Sequence, residues 1–359
     1  MNFKLTPEQR QLQEAVRGIV AGERRHQGLR AVIDGQASWD ERLWSDLCDF
    51  GVPGVLVPEA HGGAGLSMVE LALVAEVLGH AGAAVPFLGN ALATVAILHG
   101  GDDAQKARWL PKLASGEVLA SVALSERNDG WEPADWRMAP EGCRVSGRKI
   151  NVPGGAQVDL LIVGLEGGRL GVVDARSESV VVEPMDGLDL TRPLTSVEFT
   201  EADVVLLANG PTGASRMYSA ALVLLAADAF GGSERVLEMT RDYALVRETF
   251  GAVLAQRQAV KHQLANLALE VEPTRGLYWF AAYAFDHWTE RSSHSASLAK
   301  AHAAEVFIDS ARMGTELHGG IGFTWAYDSH IWLKRAMFDY AWMGRPGRLF
   351  ESAVALADW

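Results

Sequence analysis

Arg247-Glu248-Thr249-Phe250-Gly251, followed by Gln258 eleven residues after the arginine, carries side chains able to hold a ligand together. An arginine pairs with a pyrophosphate, a phenylalanine covers an apolar ring, and a glutamine bonds a sugar or a ring nitrogen. Gly251 is expected to break two long helices, which would free these side chains from their own core; a helix-loop-helix corner with a surface arginine fits the spacing equally well. His318-Gly319-Gly320-Ile321-Gly322-Phe323 is the second candidate, because glycines let backbone N–H groups approach an anion closely. A plain helix C-cap and turn is the alternative. Two other clusters, His61-Gly62-Gly63-Ala64-Gly65 and Gly154-Gly155, follow no buried strand within a βαβ unit, so the dinucleotide fingerprint lacks its context. The ten histidines include no His-Glu-x-x-His spacing, and no Gly-x-Ser-x-Gly nucleophile elbow occurs.

The elements that must position these groups fall into three stretches. From Thr6 to about Leu119 apolar residues recur at helical spacing between Gly and Pro breaks, which predicts an all-helical domain over residues 1–117. Short β-branched runs between turn signals then predict a small antiparallel barrel or sandwich over residues 118–210. Helical periodicity returns over residues 211–359, first from Arg216 to Val246 and then in two further long runs, as expected of an antiparallel bundle.

Charge and composition narrow the chemistry by exclusion. The 359 residues are 48% hydrophobic and carry 32 Lys plus Arg against 45 Asp plus Glu, a net −13 without a basic stripe, which argues against nucleic acid. No apolar run approaches a membrane span, and the N-terminus lacks a signal-peptide core. Cys48 and Cys143 are lone thiols, which fits a reducing cytoplasm. The eleven tryptophans lack an interleaved basic patch and suit packing or subunit interfaces.

The order of elements and the two late motifs together resemble the acyl-CoA dehydrogenase family over essentially the whole chain. Gly54-Val55-Leu56-Val57-Pro58-Glu59, leading to Gly62-Gly63, and Arg108-Trp109-Leu110-Pro111-Lys112-Leu113-Ala114-Ser115-Gly116-Glu117 also match that family's segments. The resemblance implies an α+β, mainly α fold: an N-terminal helical domain, a middle β-barrel and a C-terminal four-helix bundle. It implies FAD as cofactor, an acyl-CoA substrate oxidised to the 2,3-enoyl-CoA, and an electron-transfer flavoprotein as acceptor. Arg247, Phe250 and Gln258 match the residues that contact the ADP half of a neighbour's FAD, and Gly319, Gly320 and Gly322 match the turn beside it. Glu316 stands where the family has Gln, and a carboxylate near a pyrophosphate must turn away or find a cation. Ser125 matches the strand-end hydroxyl that bonds the flavin ring, but Asn128-Asp129-Gly130 replaces the family's loop and Asn151 stands at an aromatic position.

Both of the family's places for the catalytic base are unfilled. Abstraction of an α-proton needs a carboxylate; alignment on Ala336 and Gly344 puts Met343 at one place, and counting back from Gly231 puts Ala221 at the other, with Ala220 and Leu222 beside it. The pattern resembles actinobacterial dehydrogenases of steroid side-chain CoA esters, in which a base-less subunit pairs with a base-bearing one as α2β2. A self-sufficient enzyme using Asp339, Glu126 or Asp129, and a flavin-free structural relative, are the other readings.

Overall fold

The computed structural model describes residues 4–127, 130–154 and 157–357. Six helices come first: α1 (Pro7–Val20), α2 (Glu23–Ile33), α3 (Glu41–Phe50), α4 (Met68–Ala81), α5 (Phe87–Gly100) and α6 (Asp103–Ser115). Their ends follow local chemistry. Thr6 with Gln9, and Asp102 with Gln105, form capping boxes on α1 and α6, while Gly51 and Gly116 end α3 and α6 in the left-handed conformation.

Eight strands follow: β1 (Ala120–Ala123), β2 (Pro140–Glu141), β3 (Arg144–Pro153), β4 (Leu160–Leu165), β5 (Arg169–Asp174), β6 (Val180–Met185), β7 (Leu194–Asp203) and β8 (Val205–Leu206). The remainder is α7 (Gly210–Val246), β9 (Glu248–Thr249), β10 (Ala252–Val253), α8 (Gln258–His287), α9 (Thr289–His318), α10 (Ser329–Ala341) and α11 (Pro346–Ala355).

The chain divides into two compact units, one of residues 22–71 and 84–221, the other of residues 1–21, 72–83 and 222–359. In the first, the strands form two four-stranded sheets, β1-β4-β5-β8 and β2-β3-β7-β6. Val145, Val197 and Phe199 from one sheet and Leu161, Val163 and Val173 from the other share one buried cluster. This corrects the expected β-barrel: among the described residues the strands do not close into a ring, and the sandwich alternative holds. Nor is the pairing wholly antiparallel, because β1 runs parallel to β4, in register from Ala120 opposite Leu160. The long connection that a parallel pair requires is supplied by β2 and β3, which belong to the other sheet.

In the second unit, α7 and α4 meet at glycines. A Cβ on Gly231 would lie 2.0 Å from the Glu76 carbonyl oxygen, and one on Gly79 would lie 2.2 Å from that of Asp228, so only glycine permits this approach. On α10, Arg335 bonds both carboxylate oxygens of Asp228 and the Ala83 carbonyl, and the Trp332 indole donates to the Gly79 carbonyl. The helices α8 and α9 are separated by Trp288 alone, and α9 packs against α8, α10 and α11.

Candidate functional site

The Arg-x-x-Phe-Gly spacing is the geometry of a helix end followed by a tight hairpin. Arg247 directly follows α7, and β9 and β10 pair with Thr249 opposite Ala252. Phe250 and Gly251 lie between them with φ of +50° and +75°, the paired positive values of a type I′ turn. Leu254 N–H donates to the Arg247 carbonyl at 2.8 Å and closes the hairpin. Arg257, a residue the sequence reasoning passed over, donates from Nη2 to the carbonyls of Thr249 (2.8 Å) and Phe250 (3.2 Å).

What this corner presents is unspent. The Phe250 ring is 99% exposed. Arg247 is exposed, and its guanidinium has no hydrogen bond or ion pair among the described residues. Gln258 is exposed in the first turn of α8, where free N–H groups and the helix dipole favour an anion.

The glycine turn is built differently. Gly319 caps α9 at φ 64° and ψ −142°, a backbone region essentially closed to other residues. A Cβ on Gly322 would lie 2.6 Å from the Thr315 carbonyl oxygen, whereas Gly320 has open space around it. Glu316 lines a groove of about 600 Å³ between α8 and α9, and Arg312, one turn earlier, lines it too and offers a cation. These groups, a free guanidinium, a bare ring, an amide and an exposed glycine backbone, fit the adenosine diphosphate part of a dinucleotide.

The groups on the strand side are committed to their own chain. Ser125 is fully buried; its hydroxyl donates to the Glu126 carbonyl at 3.2 Å, and its carbonyl accepts from Ile150 N–H. Glu126 takes Lys149 Nζ at 2.6 Å and the backbone N–H groups of Arg137 and Met138. Burial opposes the charge on Glu126, but the lysine and the N–H groups outweigh it and hold the carboxyl below its usual range. Lys149 has no exposed surface, and burial lowers its pKa to about 8 against the pull of Glu126. Asn151 sits at φ +57° where the β3–β7 register shifts, a bulge conformation that Asn tolerates far better than a bulky aromatic.

Carboxylates are absent from both expected base places. Met343 is fully buried at φ +61°, and Ala220, Ala221 and Leu222 are fully buried in α7. Of the substitutes, Asp339 is fully buried in the field of Lys300, whose amine donates to the Tyr340 and Gly344 carbonyls. Glu126 is spent on Lys149, and Asp129 lies outside the described residues, as does Gly155. Among the described residues no group of three or more His, Cys, Asp or Glu side chains could hold a metal ion, and no helix is long and apolar enough to cross a membrane.

The N-terminal domain signature of acyl-CoA dehydrogenases matches residues 6–117, and the C-terminal domain signature matches residues 218–347. Over 333 residues the chain is 30% identical to acyl-CoA dehydrogenase IpdE2 of Mycobacterium tuberculosis, covering 92% of this chain and 91% of that protein. This chain belongs to the acyl-CoA dehydrogenase family. Membership makes it an oxidoreductase of the class acting on CH–CH bonds. Solved structures of the Tcur3481–Tcur3483 steroid ACAD (31% identical, 97% of each chain, TM-score 0.89) and of the ChsE4–ChsE5 complex from Mycobacterium tuberculosis (26% identical, 99% and 98% covered, TM-score 0.89) share the acyl-CoA dehydrogenase fold with it.

Proposed function

We propose that this chain is the base-less subunit of a hetero-oligomeric, FAD-dependent acyl-CoA dehydrogenase. Its contribution is the ADP-side surface of Arg247, Phe250, Gln258 and the Gly319, Gly320 and Gly322 turn, offered to a flavin held mainly by a base-bearing neighbour in an α2β2 assembly. FAD, when bound, supplies the hydride acceptor for 2,3-desaturation of an acyl-CoA thioester. The guanidinium neutralises pyrophosphate charge, the Phe250 ring covers an apolar face and the glycine turn offers backbone N–H groups. The proton at the thioester α-carbon leaves to a carboxylate of the partner, because Met343 cannot accept it. A steroid side-chain CoA ester as substrate is supported by the likeness to the steroid ACAD structure, and passage of electrons to an electron-transfer flavoprotein by family membership.

The observation that carries this reading is an asymmetry: the ADP-type side chains of Arg247, Phe250 and Gln258 are exposed, while the base position is filled by the buried thioether of Met343. Purification of the chain alone, and with the subunit that co-purifies from its native host, tests it. Flavin absorbance and acyl-CoA dehydrogenation are expected only in the mixture. Stoichiometric FAD and ordinary activity in the lone chain would overturn it.

A further inference from the structure

The exposed end of α7 and the glycine turn after α9 are tied together by three rings. His318, 3% exposed, places Nδ1 2.6 Å from the Gly314 carbonyl oxygen and Nε2 2.9 Å from the Tyr327 hydroxyl. A carbonyl only accepts, so Nδ1 carries the proton and Nε2 takes the Tyr327 O–H. Burial lowers the imidazole pKa, against the opposing effect of the Gly314 bond, and so favours this neutral form. Tyr243 stacks on His318 with centroids 4.5 Å apart at 30°, and meets Tyr327 edge-on at 6.2 Å.

Both ends of this cluster adjoin the candidate site. Tyr243 lies one helical turn before Arg247, whose N–H donates to the Tyr243 carbonyl at 2.8 Å. His318 is bonded directly to Gly319. Beyond Ala244 the helix end is exposed, with Leu245 56% and Val246 74% accessible, so packing of its own last residues does little to fix the guanidinium. A helix terminus of that kind frays unless something behind it is anchored.

We propose that Tyr243, His318 and Tyr327 are positioning residues that set the spacing between the Arg247 guanidinium and the Gly319–Gly322 turn, so that one ADP group engages both. This rests on the ADP-side reading above and names the residues that make it work. Tyr243 supplies the stacked face and Tyr327 supplies the hydrogen bond that locks the imidazole; neither touches the ligand.

The test uses the FAD-containing assembly co-purified from the native host through a tagged copy of this chain, stripped and retitrated with FAD and with FMN, which lacks the adenylate. Tyr243→Ala and Tyr327→Phe are each expected to weaken FAD about tenfold, the scale of one lost oriented contact, with FMN affinity unchanged and with a fall in melting temperature that does not track the loss of FAD affinity between the two variants. Tyr243→Phe, which keeps the stacked ring, is expected to retain wild-type affinity. Arg247→Ala separates the two levels of the argument. If it weakens FAD while Tyr243→Ala and Tyr327→Phe do not, the positioning role falls and the ADP-side reading stands. If Arg247→Ala has no effect, the ADP-side reading falls and takes the positioning role with it. Equal weakening of FAD and FMN, or loss of affinity in step with melting temperature, assigns the cluster to folding alone and overturns the proposal.

Discussion

Arg335 grips Asp228 through two hydrogen bonds, Nη2 to Oδ1 at 2.6 Å and Nε to Oδ2 at 3.0 Å, with the two side chains only 3% and 7% exposed. The same guanidinium donates to the Ala83 carbonyl, so a single side chain on α10 fastens both α7 and the residues just after α4. A buried pair of this kind is weak evidence for net stability, yet costly to break, because removing one partner strands the other charge.

Asp228→Ala is therefore expected to lower unfolding free energy by about 3–5 kcal/mol, and replacing both residues by leucine to recover most of that loss. Urea denaturation measures both. A loss below about 1 kcal/mol for Asp228→Ala, the range of exposed pairs, would contradict the burial of this contact.

Glu126→Ala leaves the buried Lys149 amine without its counter-charge and bonded only to the Leu124 carbonyl at 3.0 Å, with an expected cost of about 3 kcal/mol. The pH dependence has a definite sign. The folded-state pKa of Glu126 is lowered, so its contribution is present above the ordinary carboxylate value and is lost as pH falls through the folded value. Lys149 is also lowered, to about 8, which makes its buried charge a penalty below that pH, relieved as pH rises from about 8 toward its unfolded value. Acid unfolding of Glu126→Gln should show a shallower pH dependence than the parent chain as pH falls below the ordinary carboxylate value. Identical slopes would count against the pair.

Gly319→Ala and Gly320→Ala should separate folding from ligand binding. Alanine at 319 must adopt a glycine-only conformation, at about 1–3 kcal/mol, and is expected to lower the melting temperature. Alanine at 320 meets nothing within 4 Å, so stability should hold while the new methyl stands where an anion would approach the backbone. Calorimetry of the chain and FAD retention in the assembly read the two effects; loss of stability at 320 would refute the distinction.

Met343→Glu puts a carboxylate at the family's base place but inside a fully buried position. Burying that polar group without a partner costs about 2–7 kcal/mol. Its carboxyl is expected to titrate above the ordinary range, so the destabilisation should be largest at neutral pH and shrink on acidification. Thermal melts at pH 5 and pH 7.5 check this. No dehydrogenation by the lone variant is expected, and appearance of activity would show that the chain keeps a working substrate pocket.

Much of the architecture was readable because it rests on periodicity. The run from Arg216 to Val246 belongs to a helix that begins a little earlier, at Gly210, and the Gly251 break is a real turn. Sheet closure was not readable, since it depends on which strand edges meet, and β1 finds β4 in parallel across a connection through the other sheet. At Asn151 the residue type alone suggested a lost aromatic, whereas the bulge and its positive φ come from strand register. Lys149, Arg257 and the Tyr243–His318–Tyr327 cluster went unnoticed because their partners are distant in sequence or are backbone carbonyls. One signal was available for Tyr243, which lies four residues before Arg247 and hence on the same helix face.

Arg257 holds the hairpin corner by its carbonyl oxygens, while the Phe250 ring contributes nothing to its own support. Display and scaffolding are thus assigned to different residues. The side chain at position 250 can change under selection for a different neighbour while Arg257 keeps the shape of the corner, the positive φ of that turn position being the one folding constraint on what replaces it.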